Sequence, residues 1–381
     1  MPKPEIAAYY FPNYHPDRRN EAFTGRKGWS EWELVEAARP RFEGHPLPYR
    51  PLWGKCDESD PQVMAMKIDA AADHGVDTFL FDWYYYNDGP YLERALDEGF
   101  LGAPNNDRLQ FALMWANHDW HDIHPADPDV TPQTRYSGLL NPDVFEAVST
   151  RMLEQYFSHP SYLKVDGAPF FSIYDAPHFV RSFGSVKAAR EALDRWRRKA
   201  VAFGFPGLHI NLVDWDVAIL FGEGGAKRPA ALAPELGADS INAYIWVHYT
   251  DMTRHEKNDY DAVAAQYFES FARLRAEAAV PVYPNVTMGW DPSARTRQDK
   301  PWKVGDYPFH GTLSGNTPAR FEAALERALA LAAEGEGFQM LTINAWNEWT
   351  EGSFLEPEVS LGFGYLEAIK RASAKVCVSG S

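Results

Sequence analysis

Cysteine is nearly absent: Cys56 and Cys377 are the only thiols in 381 residues. Two thiols build no disulfide framework, and no CxxC pair or Cys/His cluster offers a structural zinc site, so a reducing compartment is expected. Long apolar runs are missing too. No stretch of 18 apolar residues could span a bilayer, and the opening MPKPEIAAYYFPNYHP lacks the apolar core of a secretory signal. The sequence therefore predicts a cytoplasmic protein without a membrane span. Positive charge is in deficit, with 37 Lys and Arg against 53 Asp and Glu, a net charge of −16. Nucleic acid and anionic membranes are poor partners for such a surface, because their phosphates would be repelled over most of it. Gly/Ser linkers, internal repeats and low-complexity tracts are lacking as well, so residues 1–381 are expected to form one domain.

Aromatic residues are abundant: 13 Trp, 19 Tyr and 23 Phe make 14% of the chain. Many lie among polar neighbours, as in Trp83-Tyr84-Tyr85-Tyr86-Asn87-Asp88 and Trp115-Ala116-Asn117-His118-Asp119-Trp120. A flat ring flanked by carboxylates and amides suits a sugar, whose C–H face stacks while its hydroxyls need directional partners.

Read for period, the chain repeats a short apolar or β-branched run, a polar terminus and an amphipathic stretch. Eight strands are expected, at 6–12, 77–85, 109–117, 169–175, 208–214, 240–246, 280–288 and 338–346. Helical patterns fall at 60–74, 143–157, 186–203, 260–278 and 318–333, with a last one near 365–375. Pro61, Pro142 and Pro318 each follow a capping residue and mark helix starts. Strands separated by helices imply parallel βαβ units, and eight of them predict an α/β fold of the (β/α)₈ TIM barrel type with long βα loops. A doubly wound sheet is the competing arrangement, but no Gly-rich phosphate loop follows the first strand.

Barrel enzymes keep their active sites at the C-terminal ends of the strands. Here those ends carry Asn13, Asp82 with Trp83, Asn117 with Asp119, Asp175, Asp214, Trp246 with His248, Trp290 with Asp291, and Asn347 with Glu348. Asp and Asn are also ordinary loop formers, yet nearly every end is polar or aromatic. Two long loops, 13–60 and 118–141, contain tryptophans and are read as functional. His15, His118, His121 and His124 with Asp119 and Asp122 match no familiar ligand spacing, so no metal and no cofactor are expected.

The sharpest local pattern is Asn344-Ala345-Trp346-Asn347-Glu348-Trp349-Thr350-Glu351-Gly352, leaving the last strand. In a turn, carboxylates three apart approach within about 5–6 Å at Cβ. Shielded by Trp346 and Trp349, their pKa values should be pushed apart, one group ionised and one protonated. Glycosidic cleavage needs this division between a proton donor and a base or nucleophile. A capped helix start with Glu351 near its dipole is the alternative reading.

Ala8-Tyr9-Tyr10-Phe11-Pro12 with Tyr14-His15, Gly28-Trp29-Ser30-Glu31-Trp32, Phe81-Asp82-Trp83-Tyr84-Tyr85, Trp115-Ala116-Asn117 with Trp120, and Asn344-Ala345-Trp346-Asn347-Glu348-Trp349 with Glu351-Gly352 and Leu355-Glu356-Pro357 resemble, in order, the WbsX-type family. Its members are named as glycosyltransferases of polysaccharide loci and classed as like glycoside hydrolase family 99. The resemblance implies a (β/α)₈ barrel and, from the family 99 motif Asn-Glu-Trp-His-Glu-Gly, endo-acting α-mannosidase chemistry. Glu348 would then assist the substrate's own 2-hydroxyl, which attacks C1 with net retention, and Glu351 would be general acid, then base. Thr350 replaces the motif His, and Asn117-His118-Asp119-Trp120 stands where Asn-Glu-Asn-Trp is usual.

Asp82, Asn117 and Asp119 are the expected hydroxyl-binding groups, with Trp83, Tyr85, Trp120, Tyr244, Trp246 and Trp290 as stacking platforms. Tyr10, Trp32, Trp346 and Asn347, in the resembling segments, complete the candidate substrate site around catalytic Glu348 and Glu351. The expectation is a metal-independent glycoside hydrolase acting on an α-linked oligo- or polysaccharide of manno or rhamno configuration. The alternatives are a glycosyltransferase of cell-surface polysaccharide synthesis and a carbohydrate-binding barrel without catalysis.

Overall fold

The computed structural model describes residues 3–220 and 222–379; Met1, Pro2, Phe221, Gly380 and Ser381 lie outside them. Eight barrel strands run parallel: β1 Glu5–Tyr10, β2 Thr78–Tyr86, β3 Gln110–Trp115, β4 Ala168–Ile173, β5 His209–Asp214, β6 Ser240–Ala243, β7 at 282–287 and β8 Met340–Asn344. β7 is split by Pro284 into Val282–Tyr283, which pairs with β6, and Asn285–Thr287, which pairs with β8. Proline has no N–H to donate to a ladder, so the strand changes partner there and closes the ring. Each neighbouring pair is in parallel register, for example Ala7 with Thr78 and Ala7 with Thr342. The chain is a (β/α)₈ TIM barrel.

Parallel strands covered on both faces read as continuous apolar runs, which is why Phe79-Leu80-Phe81 and Ile6-Ala7-Ala8 are wholly buried. Helices α1 Pro61–Asp73, α2 Pro142–Met152, α3 Val186–Ala202, α4 Pro229–Leu236, α5 Tyr260–Glu277, α6 Pro318–Ala333 and α7 Gly364–Ser379 pack outside. Asp60, Asn141 and Thr317 cap α1, α2 and α6 through their side chains, with proline in the first turn, as the sequence signals. The stretch expected to be helical to residue 157 ends as α2 at Met152 and continues as a π-helical turn, Leu153–Phe157.

The interior is more polar than the outside. Residues with the inward parity of Asp82 include Ser172, Asn211, Asn242 and Thr342, all fully buried. Ser172 Oγ donates to Asn211 Oδ1 (2.8 Å), Asn211 Nδ2 to Ser240 Oγ (2.9 Å) and Asn285 Nδ2 to Thr342 Oγ1 (3.0 Å). These hydrogen bonds offset much of the cost of burying the layer, although Asn242 Nδ2 has no partner among the described residues.

A charged cluster locks the outer side of β1 to α1. Lys67 Nζ meets Glu356 Oε1 at 2.7 Å and Glu58 Oε2 at 3.6 Å. Tyr10 belongs to this cluster: its hydroxyl donates to Glu58 (2.8 Å) and accepts from Lys67 (3.0 Å). Removing one partner of a buried ion pair strands the other's charge in low dielectric. Lys67→Met is therefore expected to lose roughly 3–5 kcal/mol of stability at pH 7, measured by denaturant unfolding. An unchanged midpoint would show that the two carboxylates do not need the cation.

Candidate functional site

A cavity with about 760 Å³ of empty space opens at the C-terminal ends of the strands. Glu348 and Glu351 are at its floor, carried by the 3₁₀ turn Trp349–Glu351 that leaves β8. Gly352 follows at φ 61°, a left-handed conformation that favours glycine. A Cβ there would come within 2.7 Å of the Asp291 Cβ. That close approach matters because the Asp291 N–H donates to the Glu351 carbonyl (2.5 Å), tying the loop after β7 to the glutamate turn.

Arg295, from the loop after β7, joins the acids. Its Nη2 donates to Glu348 Oε1 (2.5 Å) and its Nη1 to Glu351 Oε1 (2.6 Å), so each glutamate takes one nitrogen of one guanidinium. Tyr307 also donates to Glu351 Oε1 (2.6 Å). Glu31, from the long loop after β1, stands behind at 3.4 Å from Arg295 Nη2 and accepts from Thr350 Oγ1 (2.5 Å) and Asn13 Nδ2 (3.0 Å). His124 Nε2 is 3.1 Å from its other side. Thr350, which replaces a motif histidine, thus bridges Arg295 Nε and Glu31.

Three carboxylates around one buried cation cannot all be charged cheaply. Burial pushes Glu31 up, but Arg295, His124 and the Thr350 hydroxyl outweigh it and hold it at about 2. Burial raises both Glu348 and Glu351, against the pull of Arg295. The division expected between Glu348 and Glu351 therefore lies between that pair and Glu31. Asp82, 8% exposed, is raised well above the usual carboxylate range by burial and by the charge of Glu351, and its Oδ1 meets no partner. Glu348 occupies the N-cap position of the turn, but its side chain makes no capping hydrogen bond.

Asp82, Asp119, Trp120, Tyr244 and Trp290 line the cavity with the two glutamates. Eight other candidates do not. Side chains alternate along a strand, so Trp83 and Tyr85 face away from Asp82 and stack on each other at 5.3 Å, while Tyr84 takes the inward place. Trp246 packs on Tyr260 and Tyr267 of α5, and Trp346 on Phe79. Trp32 donates to the Cys56 carbonyl and packs on Tyr14 and Trp349. Tyr10 is held in the lysine cluster.

Asn117 and Asn347 are clamps: Asn117 exchanges two hydrogen bonds with the Asp175 backbone and Asn347 two with that of Phe11. Each joins neighbouring strand ends, leaving its amide no freedom for a ligand. Of the histidines weighed as metal ligands, His118, His121 and His124 line the cavity, His124 beside Glu31, while His15 lies beside Glu58.

Arg295, Tyr307 and Glu31 were not among the sequence candidates. Glu31 lies in the Gly28–Trp32 segment that carries the resemblance, whereas Arg295 ends a short 3₁₀ turn, Pro292–Arg295, and Tyr307 sits in irregular loop, neither marked by periodicity.

A (β/α)₈ barrel with an acid cluster in an aromatic-lined cavity at its C-terminal mouth defines the class. The chain belongs to the family described as Glycosyltransferase WbsX, whose profile matches residues 6–369. A relative named uncharacterized protein WxcX, from Xanthomonas campestris pv. campestris, is 28% identical over 401 residues, covering 96% of this chain and 49% of the relative. The chain spans about half the length of the curated relatives it matches. The GH99 endo-alpha-mannosidase of Bacteroides thetaiotaomicron shares the fold at 13% identity, TM-score 0.58 and 99% coverage of both chains. A glycoside hydrolase-like protein does so at 16% identity and TM-score 0.60, covering 98% of this chain and 94% of its own.

Arg295→Met should remove the only cation shared by the three acids. Groups whose folded pKa is raised bind protons more tightly when folded, so their contribution to stability is lost as pH rises through the folded value. Glu31, held down at about 2 by Arg295, would lose that stabilisation and join them. The melting temperature of Arg295→Met is therefore expected to fall from pH 5 to pH 8 relative to the unsubstituted protein. Parallel pH profiles for the two proteins would show that the guanidinium does not set the charge of this cluster.

Proposed function

We propose that this chain is a glycan-active enzyme, a glycoside hydrolase that cleaves an α-linked manno- or rhamno-configured glycan with retention. The observation that carries the reading is the placement of two buried glutamates on one guanidinium at the floor of a cavity walled by Tyr84, Trp120, Tyr244 and Trp290. Rings supply faces for sugar C–H groups, and Asp82, raised well above the usual carboxylate range by burial, can when protonated donate to a hydroxyl as well as accept.

In the roles implied by the family 99 motif, Glu348 takes the proton of the sugar 2-hydroxyl as its oxygen attacks C1. Glu351 gives its proton to the leaving oxygen, then deprotonates the water that attacks C1 and opens the anhydro intermediate, while Glu348 returns its proton to O2. Burial raises both carboxyls, which favours a protonated acid in the pair. A 2-hydroxyl donating to Glu348 favours its ionised form and leaves the pair's proton to Glu351, as those roles require. Asp119 and Trp120, from the loop after β3, would meet the sugar on the opposite wall.

The family description favours a second reading, transfer from a nucleotide sugar. Charge supports hydrolysis instead. Arg295 is the only Lys or Arg lining the cavity among the described residues, and three carboxylates already surround it. A diphosphate would enter a site whose uncompensated groups are acidic.

With aryl α-mannosides and α-rhamnosides, Glu348→Gln and Glu351→Gln are each expected to lower kcat by about 10²–10⁴-fold while sugar affinity changes less than about threefold. NMR of the first product should show retained anomeric configuration. Turnover surviving in both variants would remove the role assignment. Consumption of a UDP- or GDP-sugar coupled to acceptor extension, without glycoside hydrolysis, would establish the transferase.

A further inference from the structure

A second cavity adjoins the first. Ile219, Leu220 and Tyr307 line both, so the two spaces share a wall rather than lying on separate faces. One side of the second cavity is the segment Val217–Leu220; Val247 and Met252 add to its aliphatic lining. Val217 is 53% exposed although it is a large apolar side chain. This wall is held by its backbone: the Val217 N–H donates to the His248 carbonyl (3.0 Å), and the Ile219 and Leu220 N–H groups donate to Glu223 Oε2 (2.8 Å each).

The rest of the lining is polar, with Asp251, Thr253 and Asp306, and holds unused hydrogen-bonding capacity. His310, only 4% exposed, lines the cavity, and its Nδ1 has no partner among the described residues. Burial lowers its pKa to about 4, so the ring is neutral at pH 7, with one nitrogen a donor and the other an acceptor. The Thr250 hydroxyl, also on this lining, is buried without a partner. A buried polar atom left unpaired is costly, and both share this lining with aliphatic side chains. A ligand that satisfies this space presents both a hydrogen-bonding group and a methyl.

We propose that the second cavity binds the sugar unit next to the one being cleaved, and that this unit bears a methyl group, as a 6-deoxyhexose or an N-acetylhexosamine does. The proposal rests on the glycan-active reading of the first cavity. In either sugar the methyl meets the Val217–Leu220 wall while the adjacent hydroxyl or amide reaches His310 and Thr250. A plain hexose would set its 6-hydroxyl, in place of the methyl, against the aliphatic Val217–Leu220 wall. Discrimination by one small group in an apolar pocket is about tenfold or more.

The test uses Glu351→Gln protein, so that bound glycans persist, and titration calorimetry with α-linked disaccharides. Each set holds one mannose or rhamnose unit constant and varies its neighbour among glucose, fucose and N-acetylglucosamine, in both orders. A methyl-bearing neighbour should bind at least about tenfold more tightly than glucose, and whichever of the two binds best identifies the source of the methyl. Adding Val217→Trp, which fills the cavity from an exposed position, should shrink that ratio to below about twofold. Adding Thr250→Val, which removes the hydroxyl without changing shape, should weaken the preferred disaccharide about three- to tenfold. Equal affinity for all three neighbours, a preference that survives Val217→Trp, or no disaccharide binding would overturn the proposal. Aryl glycoside hydrolysis, followed separately, distinguishes the failures. Hydrolysis without methyl preference sinks this inference alone, and methyl-selective binding without hydrolysis sinks the hydrolase reading alone.

Discussion

The guanidinium of Arg295 draws together loops that leave three strands of the barrel. Glu31 comes from the loop after β1, Arg295 from the loop after β7, and Glu348 and Glu351 from the turn after β8. None of these segments has enough regular structure to fix its own position. An arginine cannot shed its charge, so burying it demands carboxylates with good geometry. Supplying three acids rather than one creates a surplus of negative charge, and a buried site relieves such a surplus by taking up protons. Glu31 has the most donors and stays ionised, while burial raises Glu348 and Glu351, the groups proposed to give and take a proton. The same contact that organises the loops therefore prepares acid chemistry.

Around this centre stands a layer that limits movement. Asn347 pins the start of the glutamate turn to β1, and Trp349 donates to Glu356, which is itself bound to Lys67. On the far side, Asp291 accepts from Ser293 and meets His45 at 2.7 Å. The absence of a side chain at Gly352 lets this layer close on the turn. Catalytic geometry tolerates little looseness, and here it is restrained by hydrogen bonds from β1, the β7 loop and α1.

The barrel was legible because parallel strands buried on both faces and capped amphipathic helices leave strong local patterns. The cavity was legible only in part. Strand parity decides which side chain enters: Asp82 and Tyr84 do, while Trp83 and Tyr85, equally aromatic on paper, belong to the outer packing. Asn117 and Asn347 sit at strand ends where a ligand-binding amide would sit, yet backbone groups of the next strand claim them first. Arg295 and Tyr307 belong to a loop whose path depends on contacts with distant segments, and no local spacing announces them.

The way charge is distributed also bears on what the cavity can admit. A sugar brings hydroxyls and C–H faces, which the rings and the carboxyls of Asp82, Glu348 and Glu351, all raised by burial, can meet without further cations. A nucleotide sugar brings two phosphate charges that need donors not already engaged. Arg295 could serve a phosphate only by releasing Glu348 or Glu351, and the released carboxyl would then face the incoming anion at close range. Protonation would remove that repulsion but would also withdraw the base that either chemistry needs. Hydrolysis of a neutral glycan avoids the conflict, because the reacting groups acquire opposite charge only as the glycosidic bond breaks, within reach of a guanidinium already in place.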